Sequence, residues 1–183
     1  MNSKRVNVIL DLDETLIHSM DKEQKKRKEI KKYKPIFNSK EMDNDFTVFE
    51  RPLLQNFLDY LFSNYNVSVW TAASKNYALF IIKNFILNKP GRKLDYILYS
   101  HHCDLSYDLK DSQKDLSMLW DVWKIKGYNK RNTFIIDDRK EVYDTQPNNC
   151  IRAKAFKVEN KTCAKDKYFK KIIKEIEKKV KCI

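Results

Sequence analysis

Short apolar runs alternate along the chain with stretches whose apolar residues recur at helical spacing. The runs are rich in β-branched and aromatic residues and have the length of buried strands, and they cover residues 6–10, 67–70, 96–99 and 133–136. Between them, helices are predicted from Arg51-Pro52 to about residue 64 and over residues 75–87. Strands that alternate with helices predict an α/β fold, a parallel sheet flanked by helices.

A charged insert of about 21–45 follows the first strand. Its first part, residues 21–34, has little apolar content and predicts either a solvated helix or a mobile insertion. Short strands over 33–37 and 46–49 predict a β-hairpin around a polar turn at 38–45.

In the C-terminal half, the sequence signals that mark the ends of helices and strands are weaker. Residues 101–113 are expected to be irregular, and a helix is expected to begin at Lys114 and to end near Gly127. A last short strand is expected within residues 150–156. An amphipathic helix is predicted over 165–180, and it is expected to pack on the sheet through Tyr168, Phe169, Ile172, Ile173, Ile176 and Val180.

Paired acids follow two of the predicted strands. Asp11 and Asp13 come directly after the first strand, and they point to the same side while Leu12 points back into the core. Asp137 and Asp138 end the strand at 133–136 in the same way. Open α/β sheets place ligands at the carboxyl ends of their strands. Unpaired buried acids are costly, so a cation is expected between them.

The stretch Asp11-Leu12-Asp13-Glu14-Thr15-Leu16-Ile17-His18-Ser19 closely resembles the first motif of the haloacid-dehalogenase superfamily. More narrowly, it resembles the DxDxT motif of the small phosphatases that act on the carboxy-terminal domain (CTD) of RNA polymerase II. The resemblance extends from about residue 8 to 155, and it implies a Rossmann-like sheet with a small insertion at about 88–113 between the second and third motifs. In this branch that insertion governs substrate choice.

The resemblance also implies the roles of the paired acids. Asp11 is expected to be the nucleophile that forms an aspartyl phosphate, and Asp13 the general acid and base, with a pKa raised by burial. Mg²⁺ would be held by Asp11, the backbone carbonyl of Asp13, and Asp137. Thr15 and Asp138 are candidates for supporting roles.

Two phosphate-binding residues follow from the same resemblance. Thr71, in Trp70-Thr71-Ala72, matches the second motif, although it also suits the cap of the following helix. Lys114, in Lys114-Asp115-Leu116-Ser117, matches the third motif, and Lys110 is its nearby competitor. We prefer Lys114, because a helix beginning there fits the apolar spacing that follows.

Two departures from the branch lie near the fourth motif. Arg139-Lys140 replaces the usual Ser-Pro after the acids, and Gln146 replaces the His of a downstream His-Pro-x-Asn motif. Neither change removes a catalytic group, but Arg139 is placed to alter the environment of the cation or the phosphate.

Length and composition predict one folded domain over residues 1–183. The four cysteines are scattered and form no CxxC pair, which argues against a disulfide framework or a zinc site. The chain has neither a membrane-spanning apolar run nor a signal-peptide stretch, so we expect a soluble, intracellular protein that does not bind membranes. The weak basic patch at residues 25–28 leaves nuclear or cytoplasmic residence open.

The net charge of +12 lies mostly in two segments. Residues 22–34 carry +6 and residues 165–181, the basic C-terminal helix, carry +5. Such segments attract an acidic, phosphorylated partner or nucleic acid, or they serve only as solvated faces.

Three functions follow from these observations. The first is a Mg²⁺-dependent phosphatase that acts on phosphoserine in a protein, such as the polymerase tail. The second has the same mechanism but acts on nucleic-acid phosphate ends, because of the two basic segments. The third is a non-catalytic binding or scaffold module of the same fold, which is disfavoured because Asp11, Asp13 and Asp137 are all present.

Overall fold

A computed structural model describes residues 6–21, 24–43, 45–160 and 162–181, and of residues 24–27 only the backbone. The strands are β1 (Asn7–Leu10), β2 (Ile17–Asp21), β3 (Ser39–Met42), β4 (Phe46–Glu50), β5 (Asn66–Trp70), β6 (Ile97–Leu98), β7 (Thr133–Asp137) and β8 (Cys150–Arg152). The α-helices are α1 (Gln24–Tyr33), α2 (Leu54–Asn64), α3 (Lys75–Ile81), α4 (Ser100–Lys110), α5 (Lys140–Thr145) and α6 (Tyr168–Val180). Two π-helical segments cover Ile82–Ile86 and Met118–Val122, and a 3₁₀ turn covers Cys163–Lys165.

The main sheet has five parallel strands in the order β6-β5-β1-β7-β8. At the end of β1, Leu10 lies opposite Val69 of β5 and Ile136 of β7. The carboxyl ends of these three strands therefore meet at one edge. The parallel α/β sheet predicted from the sequence is confirmed.

Helices cover both faces of this sheet. Val8 and Leu10 of β1 pack in a core with α2, α3 and α6, whereas Ile9 packs in a second core with α4, α5 and the segment at 116–119. Adjacent residues of a strand point to opposite faces, so the central strand contributes to both cores. The result is a three-layer arrangement in which packing on both faces of the sheet positions the strand ends.

The insert after β1 differs in part from its prediction. It forms a three-stranded antiparallel sheet in the order β2-β4-β3, and α1 covers much of the charged run. The predicted strand at 33–37 is wrong, because the hairpin partner of β4 is β3, which lies inside the predicted turn. All four β3 residues are partly or fully exposed, so no apolar run marks this strand.

The segment before the third motif is helical. Residues 101–113, expected to be irregular, contain most of α4, which buries only Cys103 and Ser106. The helix expected to begin at Lys114 does not begin there, because Lys114 has a left-handed backbone with φ 57°. A π-helical segment begins at Met118 instead.

The C-terminal helix packs as predicted. Phe169, Ile172 and Ile176 of α6 are buried in the core, and the ring of Phe169 stacks on that of Phe57 at a centroid distance of 4.4 Å. Beside them lies Arg51, a fully buried residue whose guanidinium pairs with Asp166 at 2.9 Å.

Cys103, Cys150 and Cys163 are buried and free, and residue 182 lies outside the described ranges. None of the helices in the described ranges is both long enough and apolar enough to cross a membrane. The basic patch at 25–28 falls mostly on residues whose side chains are not described.

Candidate active site

A tight turn carries the first motif over the carboxyl edge of the sheet. Asp11 donates its backbone N–H to the carbonyl of Ile136 at 3.0 Å, which continues the pairing with β7 by one residue. The chain then folds back, and Leu16 donates its N–H to the carbonyl of Leu12 at 2.8 Å. Glu14, at the top of this turn, has φ 57°. The turn places Asp11 at the sheet edge, where its side chain is almost wholly buried.

Lys114 bridges two buried carboxylates. Its Nζ lies 2.6 Å from Oδ1 of Asp11 and 2.6 Å from Oδ2 of Asp137, and all three side chains are buried. The competing lysine, Lys110, is the last residue of α4, is partly exposed, and pairs with Asp121 at 3.8 Å. The structure thus brings Lys114, and not Lys110, to the acids at the strand ends.

The loop around Lys114 is held on both sides by side-chain hydrogen bonds. Ser106 donates its hydroxyl to the carbonyl of Ser112 at 2.6 Å and accepts the N–H of Asp115 at 3.0 Å. Gln146 donates to the carbonyl of Lys114 at 2.8 Å and accepts the N–H of Leu116 at 3.0 Å. A left-handed non-glycine residue persists only where its surroundings impose that conformation, and these four bonds do so.

Three acids form a group that suits a metal ion. One carboxylate oxygen each from Asp11, Asp137 and Asp138 lie within 4.8 Å of one another. Thr15 donates its hydroxyl to Oδ1 of Asp138 at 3.3 Å, and the N–H of Arg139 donates to Oδ1 of Asp137 at 2.9 Å. Asp138, expected only in a supporting role, therefore offers a ligand atom of its own.

Asp13 lies outside this acidic group. Tyr77 of α3 donates its hydroxyl to Oδ1 of Asp13 at 2.5 Å. The hydroxyl of Ser19 on β2 forms a hydrogen bond with the same tyrosine oxygen. The two carboxylates of the first motif therefore have different partners, Lys114 for Asp11 and Tyr77 for Asp13. Such a difference allows one motif to hold two acids with different functions.

Thr71 follows β5 at the same edge of the sheet and is buried. Its hydroxyl oxygen accepts the N–H of Ala73 at 3.1 Å, and in the described residues the hydroxyl donates no hydrogen bond. The cap of α3 is Ser74, whose hydroxyl accepts the N–H of Tyr77. The alternative that Thr71 caps this helix is therefore wrong, and its hydroxyl hydrogen is available to a ligand.

Burial dominates the electrostatics of the site. Burial raises the pKa of Asp11 to about 7, with Lys114 opposing the shift and Asp137 adding to it. The pKa of Asp13 is also raised by burial, against the hydrogen bond from Tyr77. Burial alone would lower the pKa of Lys114, but Asp11 and Asp137 raise it above its usual range. Asp11 is therefore not an ordinary carboxylate, and added positive charge would favour its ionised form.

A sequence profile of the family described as NLI interacting factor-like phosphatase matches residues 6–182, nearly the whole chain. The chain belongs to this family. The resemblance to the CTD phosphatase branch of the haloacid-dehalogenase superfamily is confirmed.

Two viral proteins are similar to this chain over most of their length. The CTD phosphatase-like protein 355R of Invertebrate iridescent virus 6 is 46% identical over 155 residues, which cover 82% of this chain and 85% of the relative. The protein of the same name in Invertebrate iridescent virus 3 is 39% identical over 183 residues, which cover 96% of this chain and 97% of the relative.

The fold resembles that of a solved member of the branch. A variant of the fission yeast RNA polymerase II CTD phosphatase Fcp1, bound to beryllium fluoride, matches with a TM-score of 0.61 at 20% identity. The match covers 98% of this chain but only 50% of that protein, so this family member spans half the length of the yeast chain.

The structure shows the contacts of Arg139 and Gln146, the two residues that depart from the motifs of the branch. The guanidinium of Arg139 donates to Gln113 at 2.7 Å and lies 3.7 Å from Glu141, and no contact of its side chain with the acidic group is found in the described residues. Gln146, in contrast, holds the Lys114 loop directly. Sequence reasoning missed the contributions of Tyr77, Ser106 and Gln146, and only the noted change at Gln146 could have drawn attention to one of them.

Proposed function

We propose that the protein is a Mg²⁺-dependent phosphatase that removes phosphate from phosphoserine in a protein through an aspartyl-phosphate intermediate. The observation that carries the proposal is the bridge of Lys114 between Asp11 and Asp137, at the edge where Asp13 is held separately by Tyr77. Phosphoryl transfer needs a nucleophile, a proton donor and fixed positive charge, and this edge supplies all three.

The first half of the reaction uses both acids of the first motif. A carboxylate oxygen of Asp11 attacks phosphorus, and the bond from phosphorus to the serine oxygen breaks. Protonated Asp13, whose pKa is raised by burial, gives its proton to the leaving oxygen. Lys114 and the hydroxyl of Thr71 donate hydrogen bonds to the phosphate oxygens, which carry the developing charge.

The second half regenerates the enzyme. Asp13, now ionised, takes a proton from a water molecule, and the hydroxide attacks the aspartyl phosphate. The bond from Asp11 to phosphorus breaks, and inorganic phosphate leaves. The hydrogen bond from Tyr77 holds the carboxylate of Asp13 in one orientation through both halves.

The residues present fit a magnesium ion. Asp11, Asp137 and Asp138 offer hard oxygen atoms within 4.8 Å of one another, and a single lysine cannot neutralise them all. We infer that these residues, with the backbone carbonyl of Asp13, hold Mg²⁺. When bound, the ion offsets the repulsion between an anionic nucleophile and an anionic phosphate.

The substrate class is inferred from the relatives. CTD phosphatase-like proteins of two iridescent viruses are similar over most of their length, and a solved relative acts on the CTD of RNA polymerase II. We therefore propose a phosphorylated protein tail of this kind as the substrate. Nucleic-acid phosphate ends are the second candidate, favoured by the net +5 of residues 165–181.

Phosphate release from matched substrates tests the proposal. Phosphoserine peptides based on the polymerase repeat and 5′- or 3′-phosphorylated oligonucleotides are compared at equal concentration with Mg²⁺ present. We expect turnover of the peptides at least about tenfold faster, a difference of about 1.4 kcal/mol in the barrier. Faster turnover of the oligonucleotides would favour the second candidate, and turnover of neither would contradict both.

A further inference from the structure

A lysine-lined cavity of about 380 Å³ lies between the chain after β8 and the start of α6. We call it the lysine pocket, after Lys154, Lys157, Lys165, Lys167 and Lys171, which are five of the twelve described residues that line it. A cavity of this size accommodates a charged side chain, and a lysine cluster binds phosphate groups by point charge.

The positive charge of the lysine pocket is only partly neutralised. Asp166 is the one acidic residue among the described residues of the pocket, and its carboxylate accepts hydrogen bonds from Arg51 at 2.9 Å and from the N–H of Tyr168 at 2.6 Å. Lys157 pairs with Glu14 and Lys171 with Glu175. The remaining three lysines, Lys154, Lys165 and Lys167, make no ion pair with any residue in the described part of the chain, and all three are exposed.

The wall of the lysine pocket is bonded directly to the turn that carries Asp13. Phe156 donates its N–H to the carbonyl of Glu14 at 2.7 Å, and Lys157 pairs with the carboxylate of Glu14 at 3.1 Å. One nitrogen of buried Arg51 donates at 2.9 Å both to the carbonyl of Thr15 and to that of Lys154. The pocket therefore lies beside the proposed active site and is fixed relative to it.

We propose that the lysine pocket binds a second phosphorylated residue of the substrate, while the reacting phosphoserine lies at Asp11. This proposal rests on the proposed phosphatase function and adds a preference for peptides that carry two phosphates. A phosphoserine brings a charge of about −1.5 to −2 and three acceptor oxygens, which suit Lys154, Lys165 and Lys167. An extended peptide spans about 3.5 Å per residue, so the spacing of the two phosphates that binds best reports the distance from Asp11 to the lysine pocket.

The pocket is better suited to a peptide than to single-stranded nucleic acid. Single strands bind by stacking their bases on exposed aromatic rings as well as by charge. Of the aromatic residues in the pocket, Phe156 is buried, and the ring of Tyr168 is covered by Arg51 at 5.1 Å and Lys171 at 5.4 Å. The pocket therefore supplies positive charge without a free stacking surface.

Peptide kinetics test this preference. A peptide with one phosphoserine is compared with peptides that carry a second one about two to eight residues away on either side, a range set by the reach of an extended chain. We expect KM to fall about tenfold for the best spacing, with kcat little changed, since the second phosphate adds binding that is equal in the ground and transition states.

Charge-matched variants locate the effect. The triple variant Lys154→Gln, Lys165→Gln, Lys167→Gln is expected to lose the KM advantage of the doubly phosphorylated peptide. The control is Lys170→Gln, Lys174→Gln, Lys181→Gln, which removes the same charge from exposed positions that do not line the pocket. It is expected to keep the advantage. Turnover of an aryl phosphate by both variants checks that the Asp11 site is assembled.

The other outcomes overturn the proposal in distinct ways. If both triple variants lose the KM advantage equally, the second phosphate is attracted by the overall positive charge. If the pocket variant keeps the KM advantage, the second phosphate binds elsewhere. If wild type fails to hydrolyse any phosphate, the proposed function is wrong. Binding of a fluorescent doubly phosphorylated peptide to wild type and to both variants then still tests whether the pocket binds a phosphate group. Tighter binding of an oligonucleotide, lost only in the pocket variant, would make nucleic acid the occupant.

Discussion

The side chain of Gln146 holds the backbone directly after Lys114, donating a hydrogen bond to the Lys114 carbonyl at 2.8 Å and accepting the N–H of Leu116 at 3.0 Å. A non-glycine residue with φ 57° carries a conformational cost of about 1–3 kcal/mol that its surroundings must offset. Gln146 therefore helps to keep the amino group of Lys114 between Asp11 and Asp137.

Loss of the two hydrogen bonds of Gln146 should lower phosphatase activity. Gln146→Ala removes two hydrogen bonds, each contributing about 0.5–1.5 kcal/mol, and we expect kcat/KM for an aryl phosphate to fall by about tenfold or more. Steady-state kinetics and thermal unfolding on the same samples measure the change. Gln55→Ala is the matched control, since Gln55 bonds to Phe85 and Arg92. It should lower the unfolding temperature but leave kcat unchanged, and an equal loss of kcat would contradict the role of Gln146.

Removal of the bridging cation should destabilise the fold. Lys114→Met leaves Asp11 and Asp137 buried without their shared partner, and breaking such a buried pair costs about 3–5 kcal/mol in unfolding free energy. Urea unfolding at neutral pH with EDTA measures this loss. Lys110→Met removes a partly exposed lysine four residues away in the sequence, and it should change stability by less than about 1 kcal/mol. Equal effects of the two variants would be inconsistent with the observed bridge.

The raised pKa of Asp11 makes the metal-free protein less stable as pH rises. Folding moves this pKa from 3.8 to about 7, so the contribution of Asp11 to stability is fully present below about pH 4 and is lost as pH rises through 7. The loss is at most roughly 4 kcal/mol, from about 1.4 kcal/mol for each pKa unit.

Asp11→Asn abolishes this dependence. In EDTA, we expect the stability of wild type relative to Asp11→Asn to fall between pH 4 and 7.5, as measured by urea unfolding at several pH values. Mg²⁺ should restore wild type above pH 6 and affect the variant less. If the difference in unfolding free energy between wild type and Asp11→Asn does not change with pH, the pKa of Asp11 is not raised.

The hydroxyl of Tyr77 should set the pH range in which Asp13 acts as an acid. Its hydrogen bond opposes the raised pKa of Asp13, so Tyr77→Phe should raise that pKa further. The fall of kcat at high pH, where the general acid loses its proton, should then move to higher pH. The pH profile of kcat measures this shift, and Tyr60→Phe is the control, since its hydroxyl bonds to Tyr65. A shift to lower pH, or none, would contradict the contact with Asp13.

The sequence predicted the central fold well because apolar patterns mark buried strands. The runs that became β1, β5 and β7 are buried throughout or nearly so, and the acids at the ends of β1 and β7 mark the sheet edge. The strand β3 and the helix α4 were missed, because β3 buries no residue and α4 buries only Cys103 and Ser106. Neither element carries an apolar pattern of its own.

The candidate site was predictable where acids end a strand or where a motif names the residue. Asp11, Asp13 and Asp137 followed from the strand ends as well as from the resemblance, whereas Thr71 and Lys114 followed from the resemblance. The roles of Tyr77 and Gln146 did not, since each depends on a contact between residues more than 30 positions apart. The left-handed backbone of Lys114 also lacks a local sequence signal, because it is imposed by Ser106 and Gln146 from other parts of the fold.

Hydrolysis of a chromogenic aryl phosphate tests the central claim most directly, with wild type and Asp11→Asn compared in Mg²⁺ and in EDTA. We expect turnover by wild type that requires Mg²⁺, and a loss of about a thousandfold or more in Asp11→Asn, because the amide cannot act as the nucleophile. Asp144→Asn, which changes an exposed acid paired with Lys140, should match wild type. Undiminished turnover by Asp11→Asn, or no turnover by folded wild type in Mg²⁺, would contradict the aspartyl-phosphate mechanism.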